Sequence, residues 1–189
     1  MRTKDDKKIE AIYKASLDLI YSVWISWITM SSIASQSGIA TWTLYIYFKN
    51  KNILLNSLFT ELQKDNSMSK IQDNSSLSAY NQLFKIWEQS MNFRIISPKK
   101  VLFLESFPKS KYISRENAEI KISDYLFLID LIEQLKKEQK IRDMDGAMVV
   151  ALWVWFIRQY SLTIDNNSEN NNKDIINNSF DFFWQAIKK

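Results

Sequence analysis

The chain of 189 residues has no cysteine and no histidine. The first absence excludes disulfides and thiolate metal sites; the second removes the commonest metal ligand and general base. No paired-carboxylate constellation stands out either, so neither an enzyme nor a cofactor is expected. Two glycines and two prolines leave few turn punctuators, which disfavours β-sandwiches and barrels and favours helices joined by polar loops. No apolar run approaches the roughly 18 residues that span a bilayer. The charged start (Arg2, Lys4, Asp5, Asp6, Lys7, Lys8) leads into no signal-type apolar core. A cytoplasmic, all-α chain without membrane attachment is expected.

What the chain does have is apolar residues at helical spacing. Ile9, Ile12, Leu17, Ile20 and Val23 mark a first helix over 6–23. Two short helices within residues 29–51 follow. A fourth helix begins behind Asn50, a good N-cap, and runs through Ile53, Leu54, Leu58 and Leu62 to about Asp65. The polar stretch 65–76 reads as its frayed end and a loop. Leu77, Tyr80, Leu83 or Phe84, Trp87 and Met91 carry a fifth helix. Pro98 behind Ser97 starts a sixth over 98–107, because proline at the first helical position forfeits no hydrogen bond.

Ser114 caps a seventh helix over 115–139, with Ile122, Leu126, Ile129, Ile132 and Leu135 as its stripe. The KKEQK run at 136–140 complements its C-terminal dipole. The eighth, 145–163, is apolar on several sides. The ninth, with Ile175, Ile176, Phe180, Phe183, Trp184 and Ile187 as its face, follows the polar run DNNSENNNK at 165–173, read as a solvated loop. About nine helices result. The last two carry more apolar surface than one chain can hide, which suggests a homodimer through them.

Residues 29–51, TMSSIASQSGIATWTLYIYFKNK, are the most informative stretch. Thr29 is a natural N-cap for a helix from Met30 to about Gln36, with Met30, Ile33 and Ala34 on one apolar face. Gly38 suits an elbow that requires a positive φ. A second helix over Thr41–Tyr47 sends Leu44 and Phe48 inward and leaves Thr41, Trp42, Thr43, Tyr45 and Tyr47 to touch bases or phosphates. The plain alternative is an ordinary helical hairpin whose tyrosines cover a core.

The positions Thr29, Ile33-Ala34, Gly38-Ile39, Thr43-Leu44-Tyr45, Tyr47-Phe48 and Asn50-Lys51 fall in register on the N-terminal pattern of the TetR family of transcriptional regulators, which the chain resembles. The resemblance implies a helix-turn-helix DNA-binding domain over 1–49 and a helical ligand-binding and dimerisation domain over 50–189. It implies a ligand-responsive, homodimeric repressor that reads a palindromic operator in double-stranded DNA. Thr29 and Ser31 would touch phosphate or a nearby base, Thr41 and Thr43 would face the major groove, and Tyr45 and Tyr47 would contact phosphates or a thymine methyl. Lys51 would grip a phosphate at a helix N-terminus.

Charge supports this locally rather than globally. The net charge is +4 over the chain and +2 over residues 1–65, but Lys49 and Lys51 have no acidic residue between positions 19 and 60.

Departures from the family pattern are as informative. Trp24 and Trp42 stand where the family has glycine or a small residue, Trp27 where glycine is common, and Ala40 where a serine cap is usual. A tryptophan at a helix end that needs positive φ costs on the order of 1 kcal/mol or more, and an indole at 42 stands between the second helix and DNA. A helical interaction protein with weakened or lost DNA binding is therefore the alternative reading.

For the second lobe, Trp87, Phe103, Phe107, Tyr125 and Trp153 fall on helices that, by the resemblance, surround a cavity for a small hydrophobic or aromatic effector. Ordinary core packing is the plain reading for each of them.

Overall fold

The structure, a computed structural model, describes residues 4–65, 77–164 and 172–189. The runs 66–76 and 165–171, which hold most of the two expected polar loops, lie outside the described residues. Among the described residues the chain is all-α, with nine α-helices and one short 3₁₀ turn. They are α1 (Lys4–Trp27), α2 (Met30–Ser37), α3 (Thr41–Tyr47), α4 (Lys51–Asp65), α5 (Ala79–Ile96), α6 (Pro98–Ser106), α7 (Arg115–Lys137), α8 (Gly146–Ser161) and α9 (Asn172–Ile187); the 3₁₀ turn is Phe107–Lys109. No described helix is long and apolar enough to cross a membrane.

Local chemistry sets most of these boundaries. Pro98 opens α6, Asn50 accepts the Ile53 N–H at 3.0 Å ahead of α4, and Ser114 accepts the Asn117 N–H at 3.3 Å in the first turn of α7. Asp145 caps α8 by accepting the Met148 N–H at 2.9 Å. Helix α7 stops at Lys137, two residues short of expectation. Gln139 turns left-handed there (φ 55°), and the Lys140 N–H reaches back to the Leu135 carbonyl, satisfying the last carbonyls of the helix. Helix α9 begins at Asn172, inside the run expected to be loop.

The chain forms two compact units. The first comprises residues up to Asp65 together with Lys99–Glu119. It reaches beyond residue 49 because α4 is apolar on the side facing 99–119: buried Phe59 lies against Phe103 and Phe107, ring centroids 6.4 and 5.3 Å away. A polar knot adds direction to this packing. The Asn56 side-chain amide donates to the Tyr112 carbonyl at 2.8 Å, while its oxygen accepts the Ser114 N–H at 2.8 Å and the buried Asn117 amide at 2.9 Å.

The second unit comprises Asn66–Pro98 and Ile120–Lys189, with α5, α8 and α9 around an aromatic core. Trp87 is its centre, with the rings of Trp153, Phe156, Phe180 and Phe183 at centroid distances of 5.0–5.7 Å. Its indole N–H donates to Ser179 Oγ at 2.9 Å, so the one polar atom of the largest core side chain is satisfied.

Three stripes are narrower than their spacing suggests: Ile53, early in α4, is exposed. Val23 is exposed near the end of α1, and Ile122 and Leu126 are exposed in the early part of α7, where Leu128, Leu131, Ile132 and Leu135 form the buried set.

Candidate nucleic-acid interface

The α2–α3 pair is built almost entirely from local rules. Thr29 and Ser32 form a capping box: the Ser32 N–H donates to Thr29 Oγ1 at 3.0 Å and the Thr29 N–H donates to Ser32 Oγ at 2.9 Å. At the other end of α2, Gly38 takes φ 69° and ψ 25°, its N–H donates to the Ser35 carbonyl, and the Ile39 N–H donates to the Ala34 carbonyl. This is the Schellman arrangement, in which a left-handed residue closes the helix without leaving carbonyls bare. Helix α3 has no side-chain cap, since Ala40 occupies the capping position.

Burial divides the pair into two faces. Met30, Ile33, Ala34, Leu44 and Phe48 are buried, and Phe48 lies 5.9 Å from the Tyr13 ring of α1. On α3, Thr41 is exposed, Trp42 is 70% exposed, Tyr45 48% and Ile46 67%, with Thr43 and Tyr47 half-buried. Leu44, with Phe48 just past the helix end, thus anchors a seven-residue helix on which Thr41, Trp42, Tyr45 and Ile46 are exposed. Ser31 is exposed in the first turn of α2, whereas the Thr29 hydroxyl is engaged in the capping box.

Two of the expected contact residues are tied to their own chain. The Tyr47 hydroxyl donates to Asp5 Oδ1 at 2.6 Å, and Lys8 lies 5.9 Å from the centroid of the Tyr47 ring. The hydrogen bond to Asp5 is the main reason the phenol is held above its ordinary pKa of 10.0. The local field around α3 is therefore not free of carboxylates, because α1 brings Asp5 beside it.

Lys51 is placed differently from expectation. Its ammonium donates to the Ile28 carbonyl at 2.8 Å and the Ser26 carbonyl at 3.3 Å, and it sits 4.6 Å from the centroid of the Tyr112 ring. In this structure it acts as a tie across the end of α1, because carbonyls left bare at a helix end attract a cation. Lys49 remains exposed after α3. Sequence spacing contains no signal for Asp5 or Lys8 as neighbours of Tyr47, since the hydrogen bond joins residues 42 positions apart.

The five aromatics expected around a cavity fall in both units. Phe103 and Phe107 stack on each other at 5.0 Å within the first unit, while Trp87 and Trp153 lie 5.7 Å apart in the core of the second. All four are buried, and Tyr125 is exposed on α7. Core packing accounts for the four.

The last segment of α1 departs from ordinary helix. Trp24 breaks it with φ 67° and ψ 153°, the positive φ expected at this position. That combination falls in a region that only glycine occupies freely, and it costs a side-chain-bearing residue on the order of 1–3 kcal/mol.

No family model matches the chain. Solved structures match it over nearly its full length. A TetR family transcription regulator from Marinobacter aquaeolei VT8 is 20% identical, with 100% of each chain covered and a TM-score of 0.75. The ketosteroid transcriptional regulator KstR2 of Mycobacterium tuberculosis is 13% identical, with 96% of this chain and 95% of that chain covered and a TM-score of 0.83. A regulatory protein of the tetR family from Rhodococcus RHA1 is 13% identical, with 99% and 98% covered and a TM-score of 0.79.

Proposed function

Taking the TetR-regulator fold as its premise, we propose that the protein is a DNA-binding transcriptional regulator, a homodimer that places α3 of each copy in the major groove of a palindromic operator. The observation that carries this reading is the outward face of α3. Thr41, Tyr45 and Ile46 are presented on a helix whose inner residues, Leu44 and Phe48, are fully engaged. Hydroxyls at 41, 43, 45 and 47 suit phosphate oxygens and base edges, Ile46 suits a thymine methyl, and exposed Lys49 adds a cation beside them.

One seven-residue helix reads few base pairs, so two copies are needed. Exposed Met148, Val154 and Trp155 on α8 and Phe182 on α9 give an apolar surface suited to pairing with a second copy. Response to a small apolar effector, and repression as its outcome, draw their support from similar folds, one of which is a ketosteroid regulator; the aromatics named above give none.

Selection of bound DNA from a random duplex pool tests the reading. Enrichment of two inverted half-sites, with affinity that falls steeply as salt rises, is the expected result. Absence of any retained DNA at low salt overturns it.

Exposed Trp42 supports a second reading, in which the same scaffold has lost DNA binding and serves protein contacts. Under that reading glycine at 24 and 42 rescues DNA binding that the tryptophan chain lacks.

A further inference from the structure

We infer that the protein made in its own cell carries glycine, not tryptophan, at positions 24, 27 and 42, because a codon rendered here as tryptophan is decoded there as glycine. The inference begins with backbone geometry. Trp24 holds φ 67° and ψ 153°, outside the left-handed helical region that a capping residue such as Gln139 (φ 55°) enters, and in the region that residues with a Cβ avoid. The fold thus specifies a residue without a side chain at 24.

Surroundings separate the core tryptophans from the exposed ones, which are Trp24, Trp27, Trp42 and Trp155, the last 62% exposed on α8. Trp87 and Trp153 are buried with several aromatic neighbours, and the Trp87 N–H has a hydrogen-bond partner. Trp24 is 65% exposed, Trp27 77% and Trp42 70%, and the ring contacts found among the described residues include none of the three. Composition agrees. Two glycines in 189 residues compare with about 13 at the usual frequency of roughly 7%. A chain short of glycine, with a bulky residue on a glycine backbone, is what decoding one codon in two ways produces. Positions 27 and 42 share this exposure and lack of ring contacts; Trp155 shares them too, but it lies on the apolar α8 face with Met148 and Val154, where a second copy would cover it.

The test is a mass. No Lys or Arg lies between Lys14 and Lys49, so trypsin releases all three positions in the single peptide Ala15–Lys49, and Trp87 in Ile86–Arg94. In protein isolated from its own cell, Ala15–Lys49 is expected to be lighter by three tryptophan-to-glycine differences, with Ile86–Arg94 at its tryptophan mass. Ala15–Lys49 at the mass of the sequence as written overturns the inference, and so does glycine at both 24 and 87. Denaturation of the written chain gives an independent check on the geometry. Trp24→Gly is expected to raise the unfolding midpoint while Trp24→Ala, which keeps a Cβ, does not; equal midpoints for the two variants overturn the backbone argument.

A second inference stands on a different observation and rests on the DNA-binding reading. We propose that Asp5 is an intramolecular competitor for a DNA phosphate at Tyr47. The phenol has one proton to donate, and it goes to Asp5 Oδ1; the Lys8 ammonium lies 3.9 Å from the same oxygen. A hydroxyl donor and a cation converging on one exposed anionic oxygen are the groups that bind a phosphate oxygen. Bound DNA must displace the carboxylate. Asp5→Ala is therefore expected to tighten operator binding several-fold, and most of that gain is expected to vanish in a Tyr47→Phe background. An equal gain in both backgrounds overturns the proposal, since removing a negative charge would then explain it. No DNA binding by any variant overturns the DNA-binding reading along with it.

Discussion

Aromatic side chains do opposite work in the α2–α3 pair and in the core of α5, α8 and α9. On α3, Trp42 and Tyr45 stand in solvent and Leu44 and Phe48 hold the helix down, so the exposed rings contribute little to folding. In the second unit Trp87 is fully enclosed by four aromatic rings and fixed by its hydrogen bond to Ser179. Residue type alone is thus a poor guide to role. What separates an exposed face from a core is how many neighbours each ring meets.

The largest test of that contrast is Trp87→Ala, expected to destabilise the protein by about 3–5 kcal/mol in chemical denaturation, because it opens a cavity and leaves the Ser179 hydroxyl without its donor. A loss under 1 kcal/mol would mean the ring cluster is not the core. Thr29→Ala comes next, at about 1 kcal/mol, because it removes the side-chain half of the capping box. Thermal unfolding measures it, and an unchanged midpoint would show that α2 does not depend on its cap.

Tyr45→Ala should leave stability within about 0.5 kcal/mol while weakening DNA binding by roughly tenfold, about 1.4 kcal/mol. A variant that unfolds would place Tyr45 with the core residues instead. The smallest effect is the titration of Tyr47. The Asp5 hydrogen bond raises its folded pKa above 10.0, so its contribution is fully present below the unfolded pKa and is lost as pH climbs through the higher folded value. Burial holds half-buried Tyr13 up as well, so ultraviolet titration should show two phenols ionising late, and Asp5→Ala should bring only one of them back toward the ordinary range.

Much of this molecule could be read one residue at a time. Thr29, Gly38, Pro98 and Ser114 act within three or four positions of themselves, so the helices they start or stop were visible in the sequence. Leu44 and Phe48, four apart, identified the inner face of α3, and the tryptophan at 24 was legible as a departure that its positive φ explains. Periodicity was less reliable at helix ends. Val23, Ile122 and Leu126 keep the spacing but have no packing partner that buries them.

The sequence by itself determined an all-α chain, the capped elbow between α2 and α3 and the side of α3 that faces outward, because caps, φ preferences and the helical repeat are short-range properties. Only the tertiary structure decided that Tyr47 binds Asp5, that Lys51 ties down the end of α1, and that Phe103 and Phe107 belong with Phe59 while Trp87 belongs with Phe183. Those pairings join positions far apart along the chain. No local rule ranks one distant partner above another until folding brings it within contact distance.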